Sequence, residues 1–292
     1  VSRGLGDVYK RQSMNTDTIA KLAISEADRA YCEAHQQAYA AMQGVLLATK
    51  KQWCAAWQEQ VQYLGRHKAR EYFGARHDED VRAEQVIAHL EGLPYRFIHA
   101  LAHHFETEYA VEISEEDIQK QLYPKEPGPY HPESEKTAYH TALQETVLQY
   151  EDILRLIAQQ FEGRSLQEQA VYTLRKNCCI AAHRFSGKPV YSMKEHMIVF
   201  PQYSCRYANG YAFPWQLNEA MLPVVRGFHY YETGCIRSQA TGSYSEPFIL
   251  FQNGKKVLGF RMYKNGRMDL LFRNQENAYD FAREYLKEAT QP

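Results

Sequence analysis

Two imidazoles four residues apart, His99 and His103, sit in the segment HALAHHFETE with Glu106 three residues further on. On a helix that spacing puts both rings on one face, where they could hold a divalent cation with Glu106 as a third donor. The segment lacks the glutamate of H-E-x-x-H, and Phe97, Ile98 and Leu101 around it suit an ordinary packed helix. Cys179 and His183 repeat the spacing with a thiol and an imidazole, a pairing that could supply a nucleophile and its base. Their small apolar neighbours also suit plain packing.

The third cluster is cationic. Lys255, Lys256, Arg261, Lys264, Arg267 and Arg273 fall within one short stretch, opposed by Asp269 alone and accompanied by Tyr263. Cations neutralise phosphates while an aromatic ring stacks a base, so this set predicts a surface for DNA or RNA. The competing reading is a charged face that protects a sheet edge, since lysines blunt exposed strands. No phosphate loop, dinucleotide fingerprint, G-x-S-x-G elbow or H-x-E with P-C-x-x-C is present, so no cofactor is implied and those enzyme classes lose their usual entry points.

The elements that must position these groups follow from periodicity. Asn253-Gly254 and Asn265-Gly266 divide Phe248–Arg273 into three apolar runs, a β-meander over 248–273. A three-residue loop at Lys264-Asn265-Gly266, with Gly266 as the left-handed bulge residue, keeps charge off the apolar face. It pairs Met262 with Met268, Phe260 with Leu270 and Leu258 with Phe272 on one face, and Arg261 with Asp269 and Tyr263 with Arg267 on the other. A terminal helix over 274–288, with Ala278, Phe281, Ala282 and Tyr285 on one side, covers the sheet. Met197–Phe200 reads as a further strand, Pro214–Tyr231 as a helix kinked at Pro223, and Gly234–Ser245 as a loop.

Upstream the chain reads as helices. Ser25–Leu64 has one glycine and no proline, and its stripe of Tyr31, Ala38, Met42, Val45, Leu46, Trp53, Trp57, Val61 and Leu64 predicts one buried face. Arg66, His67, Lys68 and Arg70 form a solvated turn after it. Asp78–Leu90, Pro94–Tyr109 and Ser114–Leu122 follow as shorter helices, then a proline-rich linker or surface loop over 123–133. Helices over 134–185 complete the series, one from Ser134 to about Phe161 and one opened by the Ser165/Glu168 capping box and stopped at Ser186-Gly187. The organisation expected is a helical region over 14–122, the linker, and an α+β domain over 134–292.

Ser2–Gln12, reading SRGLGDVYKRQ, matches the translation of a transposase adapter used in sequencing libraries. Residues 1–13 are therefore expected to be non-native, with Met14 the natural start and a bacterial or phage origin. No apolar run approaches the roughly 18–20 residues of a membrane helix, and no secretory signal follows Met14, so a cytoplasmic protein without a membrane partner is expected. The six cysteines contain no C-x-x-C pair and are expected to be reduced. Charge divides along the chain: 14–175 carries 16 basic and 25 acidic residues, 176–292 carries 15 basic and 9 acidic. Such a split marks either a nucleic-acid contact or two regions that attract one another.

Three segments carry a family likeness: FEGRSLQEQAVYTLRKNC (Phe161–Cys178), FPWQLNEAMLPVVRGFHYYETG (Phe213–Gly234) and YKNGRMDLLF (Tyr263–Phe272). Their order resembles a bacterial family of unknown function found on plasmids, prophages and conjugative elements, some members neighbouring or fused to DNA adenine methyltransferases. The resemblance covers under half of the chain and leaves the helical half unmatched. It implies a mobile-element setting and transfers no catalytic residue. Together these readings predict a non-enzymatic, nucleic-acid-binding accessory protein. The alternatives are an interaction or self-association module built on the Ser25–Leu64 helix, and a metal-dependent enzyme using His99 and His103.

Overall fold

A computed structural model describes residues 19–73, 83–183, 190–236 and 241–287. The adapter-like segment 1–13, Asp78, the Ser186-Gly187 stop and Glu288 lie outside them. The fold is α+β, as the sequence predicts. The chain divides into two compact units, one running to Glu108 and resuming over Glu112–Leu166, the other holding Tyr109–Val111 and everything from Gln167 onward. The proline-rich stretch 123–133 thus lies within the first unit.

The first unit is helical. Helix α1 (Glu26–Tyr72) opens on a capping box in which the Ser25 hydroxyl accepts from the Asp28 N–H at 3.1 Å and Asp28 accepts from the Ser25 N–H at 2.9 Å. It does not end at Leu64. Gly65 takes φ +76° and breaks the helical path, and the residues read as a solvated turn form a short helical return to Tyr72. Phe73 then sets its ring edge-on to Trp53 and Trp57, at 5.2 and 5.6 Å.

The buried face of α1 also differs from the apolar stripe. Asp28, Cys32, Tyr39 and Gln43 are buried, whereas Met42 and Val45 are at least half exposed. The cause is a polar seam. Gln36 donates to the Leu148 carbonyl, Tyr39 to that of Thr146, and Gln43 to those of Gln144 and Thr146. These bonds satisfy backbone acceptors that a continuous helix would have used itself, so 134–161 is not one helix. It splits into α4 (Glu133–Gln144) and α5 (Tyr150–Gln160).

Between α1 and α4 lie α2 (Glu84–Tyr109) and α3 (Glu115–Leu122). The two helices expected around Pro94 are one: Pro94 is buried inside α2, where neighbouring Leu93, Phe97 and Ile98 pack. Their burial holds the helix across the hydrogen bond that proline cannot make.

The second unit begins with α6 (Leu166–Ala182). Strands β1 (Ser192–Lys194) and β2 (Met197–Phe200) follow, then β3 (Cys205–Tyr207) and β4 (Trp215–Leu217). Next come α7 (Leu222–Thr233), β5 (Ser243–Tyr244), β6 (Phe248–Leu250), β7 (Val257–Met262), β8 (Met268–Phe272) and α8 (Gln275–Phe281). Helix α8 continues as a wider π turn through Leu286. Pro223 does not kink a helix. It sits in the first turn of α7, where its missing N–H costs nothing, while Trp215–Leu217, expected as helix, is a strand.

The meander is the centre of a five-stranded antiparallel sheet ordered β1-β2-β8-β7-β6. Arg261 pairs with Asp269, Phe260 with Leu270 and Met262 with Met268, the register read from the sequence. One pair differs. Val257, not Leu258, faces Phe272, because a bulge between Val257 and Gly259 inserts an extra residue. Ile198, Phe200, Phe260, Met262, Met268, Leu270 and Phe272 form a core with Val224, Val225 and Phe228 of α7 and Phe281 and Tyr285 of the last helix.

Glu232 closes that end of the sheet. It lies in the last turn of α7, where the helix dipole disfavours a carboxylate, yet it accepts the N–H groups of Lys255, Lys256 and Val257 at 2.6–2.9 Å. Burial pushes its pKa up, but those three bonds and the Lys256 charge outweigh burial and hold it below the ordinary 4.5. Its contribution to stability is therefore complete above about pH 4.5 and is lost as pH falls through the lower folded value. Glu232→Gln is expected to cost about 1 kcal/mol at neutral pH, small because the group is partly exposed. Denaturant melts should show that difference shrinking below pH 4.5.

Candidate nucleic-acid interface

The β7–β8 turn adopts the three-residue form expected. Tyr263 and Arg267 close it through the Tyr263 N–H to the Arg267 carbonyl, the Gly266 N–H donates to the Tyr263 carbonyl, and Gly266 takes φ +85°. The fold does not bring the predicted cations to one place. Lys255, Lys256 and Arg273 gather at the β6–β7 end, separated from the β7–β8 turn by the length of β7, roughly 17 Å at 3.3 Å per residue. There the Arg273 Nε donates to the Gly254 carbonyl at 2.9 Å, and the Lys256 ammonium lies 4.5 Å from the centre of the Tyr231 ring. Arg261, the penultimate residue of β7, is exposed with its guanidinium 4.9 Å from the Phe248 ring centre.

At the turn, Arg267 and Tyr263 serve the fold. Asp269 is buried, and Arg267 meets it through two parallel bonds, Nε to Oδ1 and Nη2 to Oδ2, both 2.7 Å. The Tyr263 hydroxyl donates to the same carboxylate at 3.0 Å, and the Arg267 guanidinium covers the Tyr263 ring at 4.9 Å. That ring face is therefore occupied by a cation rather than open to a base. Lys264 is exposed, its ammonium 4.6 Å from the centre of the Tyr207 ring.

This last contact leads to residues that the sequence reading missed. Strands β3 and β4 form a hairpin pairing Tyr207 with Trp215 and Cys205 with Leu217, and β5 joins it through Tyr244 to complete a second, three-stranded sheet. Backbone bonds from Ser204 and Cys205 to the Gly266 carbonyl fix this hairpin against the β7–β8 turn. The Cys205 thiol, its pKa raised by burial and so kept protonated, donates to the Arg267 carbonyl at 3.1 Å. The hairpin and its flanks display four large aromatics: Tyr203 is 67 % exposed, Tyr207 37 %, Tyr211 68 % and Phe213 57 %. A tyrosine every fourth residue around Asn209-Gly210, ending on Phe213, is the signal that was present in the sequence. This aromatic ridge, a run of exposed rings over 203–213, meets Lys264 at Tyr207, and Arg206 is exposed between Tyr203 and Tyr207.

The histidine cluster has a different geometry from a metal site. His99 and His103 stack at 5.6 Å between ring centres, His99 Nδ1 bonds Glu115 at 2.8 Å, and Glu106 accepts the Ile113 N–H at 3.1 Å. Among the described residues no three His, Cys, Asp or Glu side chains are grouped to hold a metal. At the other pair, His183 Nδ1 lies 3.6 Å from the Cys179 sulfur but 2.9 Å from the Cys179 carbonyl. A carbonyl only accepts, so in the tautomer that makes this shorter bond Nδ1 is a donor and not a base for that thiol. Cys32, Cys54, Cys178 and Cys205 are free thiols, and among the described residues no helix is long and apolar enough to cross a membrane. Comparison with known proteins finds no matching family model, curated protein or solved structure.

Proposed function

We propose that this chain is a nucleic-acid-binding accessory protein that takes a single strand along the aromatic ridge of its second unit. The resemblance of its C-terminal segments suggests that it serves a mobile element. The supporting observation is the exposure of Tyr203, Tyr211 and Phe213, with the exposed Lys264 over the Tyr207 ring and the exposed Arg261 on β7 of the same unit. Every base has a face to stack, so aromatic side chains bind single strands with little sequence preference while cations hold the phosphates. A duplex hides its base faces and would leave the ridge unused. Compared with the meander reading, the surface moves from the strands to the β3–β4 hairpin and the β7–β8 turn.

Binding of the full chain to labelled single- and double-stranded DNA and RNA, followed by fluorescence anisotropy at several salt concentrations, tests this. Single strands should bind best, with log affinity falling against log salt at a slope of about −0.7 for each phosphate neutralised. Lys264→Glu combined with Arg261→Glu should flatten that slope. Salt-independent binding, or none, contradicts the proposal.

A second reading rests on α1. Its outward residues Met42 and Val45 are 50 % and 61 % exposed, a feature suited to a partner helix or a second copy of the chain. A monomer by light scattering across micromolar concentrations would remove the self-association form of that reading.

A further inference from the structure

We infer that the cleft beside the ridge, lined by Tyr203, Arg206, Gln216 and Glu219, is a base pocket selective for guanine, an inference that rests on the strand-binding reading. The register places Arg206, Gln216 and Ser243 side by side on the face of the small sheet opposite Trp215 and Leu217, which belong to the core. This polar row forms the wall of a cleft of about 650 Å³, large enough for a nucleobase.

Within it the Arg206 guanidinium is oriented. Its Nε donates to Gln216 Oε1 at 2.7 Å, which leaves the two terminal amino groups as a parallel pair of donors. Guanine presents two adjacent acceptors, O6 and N7, to such a pair, whereas adenine sets an amino group beside N7. Glu219 lines the same cleft and supplies an acceptor for the N2 amino group that distinguishes guanine from adenine. Tyr203, also lining the cleft, supplies an aromatic face, and its backbone is held at φ +56°, a conformation uncommon for a bulky residue and often found where a side chain is set for a ligand.

The test compares the full chain on labelled oligothymidylates that carry one central guanine, adenine or no substitution, with free GMP as competitor. The guanine strand should bind about tenfold tighter than the adenine strand. That ratio should fall to near one in Arg206→Ala, whatever happens to overall affinity, and should also fall in Glu219→Ala, which removes the acceptor for the N2 amino group. Equal binding of all three strands overturns the guanine pocket and leaves strand binding standing. Absence of binding to any strand overturns both. Displacement by GMP as effective as by the guanine strand itself overturns the strand-borne form and assigns the pocket to a free nucleotide.

Discussion

Arg267→Glu is expected to unfold the second unit rather than merely weaken a phosphate contact. The Asp269 side chain is only 2 % exposed, and the two 2.7 Å bonds to Arg267 provide its charge partner. Removing one member of a buried pair costs about 3–5 kcal/mol, because the remaining charge stays desolvated. A second carboxylate adds repulsion to that loss. Whole domains are stable by only about 5–15 kcal/mol. Urea melts followed by circular dichroism should show the loss directly, and Arg267→Ala should show a smaller one because it adds no like charge. A midpoint shift equivalent to less than about 1 kcal/mol would mean that Asp269 is rehydrated without cost, contrary to its burial. It follows that charge reversal at Arg267 cannot test binding, whereas Lys264 and Arg261, both exposed, can.

Gly259→Ala should be nearly as damaging, for a backbone reason. Gly259 lies in the β7 bulge at φ +153°, and a Cβ placed there would stand 2.1 Å from the Ile249 carbonyl oxygen and 3.1 Å from the Leu250 Cα. That carbonyl belongs to the β6 backbone paired with β7, so it can retreat only by opening the pairing. Backbone strain and overpacking each cost about 1–3 kcal/mol, and together about 3 kcal/mol is expected. Hydrogen exchange should show the damage confined at first to the β6–β7 pairing, with β2–β8 still protected. Unchanged protection of Ile249 and Phe260 would contradict the close approach.

The meander shows why part of this fold was legible. Alternation of Phe260, Met262, Met268, Leu270 and Phe272 with charged residues, together with the turn chemistry of Asn265-Gly266, leaves only one register that keeps charge off the core. The bulge at Gly259 was not legible, because a lone glycine does not announce which neighbour its backbone will approach. Helix α1 failed differently. Its apolar stripe suggested the buried side, but Gln36, Tyr39 and Gln43 find carbonyls on a loop more than a hundred residues away, and no local pattern encodes that. The cations of the meander were recognised by type, yet Asp269 turns Arg267 inward and β7 separates the rest. The aromatic ridge was overlooked because Tyr203, Tyr207 and Tyr211 lie in a polar stretch with no apolar alternation, although their spacing was visible.

The central claim is that exposed rings on the β3–β4 hairpin stack the bases of a single strand. Its most direct test is an anisotropy titration of a labelled oligothymidylate of about ten nucleotides, within the usual span of such sites, with the wild-type chain and the Tyr211→Ala, Phe213→Ala double variant at one low salt concentration. Both rings are more than half exposed, so the variant should melt as the wild type does. The expected result is salt-sensitive binding by the wild type and at least about tenfold weaker binding by the variant, from the loss of two stacked bases. Equal affinity of the two proteins, or no binding by the wild type, would contradict the account.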